Sequence, residues 1–268
     1  MSEQAILELE RARSLLSTRV LGRSLEVRAE TGSTNDDARV AADAGAPRGH
    51  VIVANAQTRG RGARGRAWSS PAGEDLYLSI VERTELPPAR VSLLTLAVGL
   101  GVAELVATLV DDVRVKWPND VWIGRRKCAG ILVEASSMGT RLGPIVIGIG
   151  LDVNRLEWAP ELAADATSIL ATRRLTDPSA ARLDRGAVLA ELLAHVERRV
   201  DLLARGGERE LVAAVAARLA LVGERVRVDE LEGTLLGLAP SGALRLETSD
   251  GARDVIAGTL RPWSPPLD

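Results

Sequence analysis

Residues 113–153 read VRVKWPNDVWIGRRKCAGILVEASSMGTRLGPIVIGIGLDV. Four β-type runs follow one another here: VRVKW (113–117), VWI (121–123), CAGILVEA (128–135) and PIVIGIGLDV (144–153). Each is short, rich in Val and Ile, and bounded by turn residues, which is the signature of strands. Working upstream, Asp75–Val81 is a further strand, and residues 50–56 (HVIVANA) are a buried one. Leu25–Glu30 alternates apolar and polar as a strand does. Thr31–Asn35 is a turn entering a helix, with Ser33 or Thr34 as N-cap. Residues 3–20 have the spacing of one amphipathic helix, and residues 89–110 that of a long buried one. Downstream, 160–171, 184–205 and 208–219 read as helical. From residue 220 the pattern changes to short strands with turn signals at Pro240–Gly242 and Ser249–Gly251, which predicts a small β-barrel. The domain boundary falls near Leu219, giving units 1–219 and 220–268.

Composition narrows the function. With 46% apolar and 26% charged residues, the chain of 268 is of ordinary globular make-up rather than disordered. No window approaches the ~20 apolar residues of a membrane span. The first sixteen residues carry Glu3, Glu8, Glu10, Arg11 and Arg13, unlike a secretory signal. The lone Cys128 fits a reducing, cytoplasmic setting. A net charge of −2 gives no general pull toward nucleic acid. There is no Phe, so the core is expected to be Leu, Val, Ile and Ala. Of 34 basic residues only Lys116 and Lys127 are lysines, and both fall in motif-like segments. A compact ammonium differs physically from the guanidinium fork used everywhere else.

Four segments could carry chemistry. Thr58–Arg66 (TRGRGARGR) combines glycines that let backbone approach a ligand with four arginines suited to phosphate or carboxylate. Trp68 follows and could stack on a planar ring. The same loop could equally be a solvated basic segment or a nucleic-acid binder; it is not a Walker A loop. Lys116–Asp120 (KWPND) places Asn119 and Asp120 after a proline bend, with oxygens suited to Mg²⁺ beside a polyphosphate; taken alone it could be a simple turn. Lys127–Glu134 (KCAGILVE) sets an ammonium at the mouth of an apolar strand, where it could hold a carboxylate or merely protect a sheet edge. Gly148–Asn154 (GIGLDVN) alternates glycines so that a flat group can lie on the strand. His50 and His195 have no partners at zinc or triad spacing.

In this order, ETGSTN (30–35), QTRGRGARGRAW (57–68), LYLS (76–79), VKWPND (115–120), RKCAGILVE (126–134) and GIGLDVN (148–154) resemble the signature of the biotin–protein ligases. The resemblance implies an α+β fold: a catalytic domain on a mixed central β-sheet followed by a small SH3-like β-barrel. It implies a two-step reaction. Biotin and MgATP form biotinyl-5′-adenylate and pyrophosphate, and biotin then passes to a lysine of a biotin carboxyl carrier protein. It assigns biotin to Ser33, Thr34, Asn35, Gln57, Arg61, Gly62, Lys127 and Gly130. It assigns the nucleotide to Arg61, Arg64, Arg66, Trp68, Lys116, Asn119 and Asn154, and Mg²⁺ to Asp120, with Asn119 as a second ligand. Lys127, Arg61 and Lys116 would be the catalytic cations, compensating two anions that must meet. Three departures stand out: Ala63 replaces a loop arginine with Arg64 adjacent, Cys128 replaces an aliphatic residue, and Asp152 stands where Asn is common. The resemblance further implies a monomer or homodimer, with neither a membrane nor DNA as partner, since too few residues precede Thr31 for a helix-turn-helix module. The scarcity of lysine would limit self-modification by a released acyl-adenylate. The rival readings are a lipoate–protein ligase and a non-enzymatic nucleic-acid binder.

Overall fold

The computed structural model describes residues 3–84, 86–138 and 141–264. Its helices are α1 (Glu3–Glu10), α2 (Ala12–Leu15), α3 (Thr34–Asp43), α4 (Val91–Val106), α5 (Ile169–Thr176), α6 (Arg185–Ala204) and α7 (Glu208–Ala216). The first seven strands are β1 (Leu25–Arg28), β2 (Val51–Ala54), β3 (Leu76–Glu82), β4 (Val113–Lys116), β5 (Asp120–Ile123), β6 (Arg126–Met138) and β7 (Arg141–Leu151). They form one sheet in the order β1-β2-β3-β7-β6-β5-β4. Only β1 and β2 run parallel, so the sheet is mixed. The remaining strands, β8 (Arg225–Val228), β9 (Leu231–Leu238), β10 (Leu244–Thr248), β11 (Gly251–Val255) and β12 (Leu260–Pro262), form a second, antiparallel sheet in the order β11-β10-β9-β8-β12. The fold class is therefore the expected one; the last four residues of the anticipated C-terminal unit lie outside the described residues.

The central sheet has two different faces because its strands alternate. Leu78 and Ile80 pair with Ile149 and Ile147 and are buried. With Ile131 they belong to the same apolar core as Leu94, Leu96 and Leu100 of α4. That core contains no Phe; it is almost entirely Leu, Val, Ile and Ala. Small residues let its helices close up: a Cβ on Gly101 of α4 would stand 2.9 Å from Val196 Cα of α6. Each fully buried Leu or Ile contributes about 1.5–3 kcal/mol, so the many such residues here do what fewer aromatics do elsewhere. On the other parity, Ser79 and Tyr77 of β3 pair with Gly148 and Gly150 of β7, which in turn pair with Leu132 and Gly130 of β6. This second face, with its small and polar residues, is where a site can be built.

Two helix expectations need correction. The helix anticipated over 3–20 breaks at Arg11 and ends at Leu15, and a few residues further on the backbone donors serve a tertiary acceptor. The Glu197 carboxylate takes the N–H groups of Arg19, Val20 and Leu21 at 2.7–2.9 Å. The helix anticipated over 160–171 begins only at Ile169, where the Ser168 hydroxyl accepts the Ala171 N–H. Before it, the chain runs beside β6: Lys127 N–H donates to Asp165 O, and Thr167 N–H to Lys127 O. Periodicity could not reveal either tie. Among the described residues no helix is long and apolar enough to cross a membrane.

Candidate functional site

The polar face of the central sheet carries a cavity of about 280 Å³. Its walls include Ser33, Thr34, Asn35, Gln57, Arg61, Gly62, Arg66, Trp68, Asn119, Lys127 and Gly130, so most of the expected site residues meet in one place. These come from the N-terminus of α3, the Gly/Arg loop, the turn between β4 and β5, and β6.

At one end lies the start of α3. Ser33 is the N-cap by position, yet its hydroxyl makes no capping bond. Gln57 does that work instead: its Oε1 accepts Thr34 N–H at 2.9 Å and Thr34 Oγ1 at 3.2 Å. Gln57 Nε2 donates to Ser70 Oγ, which donates to Trp68 O. Ser79 of β3 donates to Asn35 Oδ1 at 2.6 Å, and Asn35 Nδ2 donates to Glu134 at 2.7 Å. Asn35 fits only because β7 has glycine beneath it, since a Cβ at Gly148 would collide with Asn35 Oδ1. Serine hydroxyls and amides in fixed orientations suit a neutral ligand head with paired donors and acceptors.

The middle of the cavity is floored by Gly130 and Gly150. The flat group resting on these glycines is the indole of Trp68: a Cβ at Gly150 would sit 2.6 Å from Trp68 Nε1, and one at Gly130 2.9 Å from Cζ3. The Lys127 ammonium lies 5.1 Å from the indole centroid, within cation–π range. The Trp68 N–H is buried and has no partner.

Lys127 also stands 2.6 Å from Asp120 Oδ1, a charge contact not aligned as a hydrogen bond. Lys116 stands 3.3 Å from Asp120 Oδ2. The three side chains form one cluster at the β4–β5 turn, with Lys127 facing the cavity and Lys116 behind it. Burial pushes the Lys116 ammonium down, and Asp120 opposes that. Lys116 additionally lies 5.5 Å from the Trp122 ring. The Asp120 carboxylate, expected as a Mg²⁺ ligand, is instead held between two ammonium groups. Asn119 spends its amide N–H on Ile131 O. No group of three or more His, Cys, Asp or Glu side chains able to hold a metal occurs among the described residues. The donor set thus does not fit a resident metal ion.

Two further expected residues stand apart from the cavity. Arg64 points to the second sheet and forms a bidentate pair with Asp229 at 2.9 and 3.4 Å. Asn154 spends its amide on the backbone of Leu183, donating to its oxygen and accepting its N–H.

The sequence reading missed the support behind the cavity. Asp75 is fully buried and accepts Arg155 Nε at 2.9 Å, Val153 N–H at 2.8 Å and Tyr77 OH at 3.1 Å. Arg155 also donates to Ser69 O. The pair therefore ties the ends of β3 and β7 to the segment after Trp68. Only the presence of Arg155 directly after the GIGLDVN run hinted at this. Asp152 lines the same region with its Oδ1 buried and unpartnered. Burial, then the neighbouring Asp75, pushes its carboxyl well above the usual range, against the pull of Arg155 and Lys127. Burial likewise pushes the Cys128 thiol up.

Comparison with known proteins follows the same lines. Residues 33–152 match the model of the biotin/lipoate A/B protein ligase family. A biotin–[acetyl-CoA-carboxylase] ligase of Mycobacterium tuberculosis is 36% identical over 246 residues, covering 87% of this chain and 86% of that protein. The bifunctional ligase/repressor BirA of Bacillus subtilis is 31% identical over 255 residues, covering 91% of this chain and 76% of its own. A structure of the Aquifex aeolicus biotin protein ligase in complex with biotin and ATP superposes with a TM-score of 0.77 at 27% identity, covering 90% of this chain and all of that one.

Proposed function

The chain belongs to the biotin–protein ligases and is a ligase enzyme, and from that premise we propose how its cavity works. Biotin and ATP are the substrates, with Mg²⁺ arriving on the polyphosphate rather than as a resident ion. The ureido ring of biotin sits among Ser33, Thr34, Asn35 and Gln57. Its valeryl chain passes over the Trp68 indole that covers Gly130 and Gly150, and its carboxylate reaches Lys127. The adenylate packs against Trp68 under the Gly/Arg loop, with Arg61 and Arg66 facing the phosphates.

A biotin carboxylate oxygen attacks the α-phosphorus, the bond to the β-phosphate oxygen breaks, and pyrophosphate leaves. Two anions must approach for this, and Lys127 and Arg61 lower their repulsion in a partly buried site. Asp120 orients Lys127 and Lys116, so Lys116 contributes field from behind the cavity wall. In the second step the amine of a carrier-domain lysine attacks the acyl carbon and AMP departs. Much of the acceleration would come from holding the two reactants in place. Arg64 acts from outside, fastening the loop to the second sheet, and Asn154 shapes the chain after β7. Residues 1–219 are the catalytic unit and 220–268 the second unit. Ahead of Thr31, α1 is tied to the catalytic unit, Glu8 pairing with Arg185 at 2.9 Å.

The observation that carries this reading is the convergence of Lys127, Trp68 and the Asn35 hydrogen-bond array on one cavity. The test is incubation with biotin, ATP, Mg²⁺ and a biotin carboxyl carrier domain, followed by an avidin blot and a pyrophosphate assay. Biotin-dependent pyrophosphate release and a labelled carrier are expected. Pyrophosphate release with lipoate but not biotin would overturn the substrate assignment.

A further inference from the structure

Glu134 lies on β6 outside the cavity wall. Its side chain is about one-fifth exposed, and a single oxygen, Oε2, accepts from two directions. Asn35 Nδ2 of α3 donates to it at 2.7 Å, and Arg61 of the Gly/Arg loop at 2.9 Å. Its other oxygen stands 3.5 Å from Arg39 of α3. Arg61 has one more acid partner, Asp36, at 2.8 Å. The second face of Asn35 is fixed by Ser79, so its amide can point only one way.

We propose that Glu134 is a positioning residue that couples the two halves of the cavity. It fixes Asn35 and the loop guanidinium with one atom, so that filling either half favours the geometry the other needs.

The geometry supports this in three ways. Asn35 and Arg61 are 26 positions apart and sit on different elements, a helix start and a loop. A shared charged acceptor joins the two side chains directly, beside the Arg61–Asp36 pair. Hydrogen bonds to a charged acceptor are roughly twice as strong as neutral ones. The charge count also balances locally, since Glu134 and Asp36 face Arg61 and Arg39. Arg61 remains about one-third exposed, so a polyphosphate can still reach it. A ligand that hydrogen-bonds the already fixed Asn35 polarises its bond to Glu134, and a more firmly held Glu134 pre-orders Arg61. Linkage requires the converse to hold equally.

The inference rests on the assignment of biotin to the Asn35 end and of the nucleotide to the loop. Its test is the factor by which each ligand changes the affinity for the other. Calorimetry would measure biotin alone, a non-hydrolysable ATP analogue with Mg²⁺ alone, and each in the presence of the other, for the parent chain, Glu134→Ala and Glu134→Gln. The parent is expected to bind each ligand more tightly in the presence of the other, by the same factor in both orders. In Glu134→Ala that factor should fall at least fivefold, toward one. Glu134→Gln keeps an acceptor for Asn35 but loses the negative charge that faces Arg61; it should retain most of the affinity for biotin alone while the coupling drops. It also serves if the alanine variant fails to fold. A merely structural role would weaken both single affinities and leave the ratio intact. Absence of coupling in the parent, or an unchanged ratio in the folded variants, overturns the proposal. Absence of any biotin binding by the parent overturns the functional reading itself, and this inference with it.

Discussion

Replacing Gly148 by alanine tests whether the space beneath Asn35 is what makes the head-group end of the cavity. The added Cβ would collide with Asn35 Oδ1, and the neighbouring Asn35 carbon and nitrogen lie 2.9 and 3.0 Å away. Asn35 is 4% exposed and cannot swing freely into solvent. Relief requires it to leave the 2.6 Å bond from Ser79 and the 2.7 Å bond to Glu134. A neutral hydrogen bond is worth about 0.5–1.5 kcal/mol net and one to a charged group about 1.5–3. The folded state should therefore lose roughly 2–4 kcal/mol. For a chain of this size that lowers Tm by about 2–4 °C per kcal/mol. Binding should suffer separately. Losing one ligand hydrogen bond of ~1.4 kcal/mol weakens Kd about tenfold. Thermal melts give the first number and calorimetry with biotin the second. Asn35→Ala and the double variant complete a cycle: if Gly148→Ala acts through Asn35, the double variant binds biotin no more weakly than Asn35→Ala alone. A folded Gly148→Ala protein with a Kd within twofold of the parent, beside a weakened Asn35→Ala, would refute the reasoning.

Other outcomes follow from the same contacts. Lys127→Met should cut biotin-dependent pyrophosphate release by about 10²–10³-fold, by analogy with removing one oxyanion donor, while Lys116 still neutralises Asp120 and the melt stays cooperative; undiminished release removes Lys127 from the chemistry. Arg155→Met leaves a fully buried Asp75 unpaired and should cost about 3–5 kcal/mol in urea denaturation, with Asp75→Asn restoring part of it; a cost under about 1 kcal/mol would refute the pairing argument. The raised Asp152 carboxyl binds its proton more tightly folded than unfolded, so its stabilising effect is full below the ordinary carboxylate pKa of about 4 and is lost as pH rises toward the folded value. Asp152→Asn should thus flatten the pH–stability curve and raise Tm at pH 7 more than at pH 4; an equal change at both would contradict the sign. Mass spectrometry after incubation with biotin and ATP should find little self-biotinylation, and heavy labelling at several positions would remove the explanation offered for the scarcity of lysine.

Much of this site could be read from the chain because motif residues that act together also lie on consecutive strands. Gly130, Gly148 and Gly150 alternate with apolar residues, and the alternation itself puts them on one face. Lys116 and Lys127 were conspicuous simply because every other basic residue is Arg. What escaped notice depends on contacts distant in sequence. Ser79 closes the LYLS run and has no role of its own in the sequence reading, yet it fixes two residues of α3. Glu134 looks like a strand-end charge until α3 and the loop are laid beside it. Lys116 and Asp120 were assigned to the nucleotide and Mg²⁺; what the sequence did not show is that they and Lys127 also meet one another at close range. The flat group expected on the glycine floor was a ligand; the protein supplies one of its own in Trp68. The helix ends at Leu15 and Ile169 were unreadable because the competing partners, Glu197 and the backbone of Lys127, lie 40 or more residues away.

Arg185 has no exposed surface, and its guanidinium is shared among Glu8, Asn55 Oδ1 and the carbonyl of Ala5. α1 therefore completes the solvation of a fully buried cation. A change that pulls α1 away would strand that cation in an oily interior.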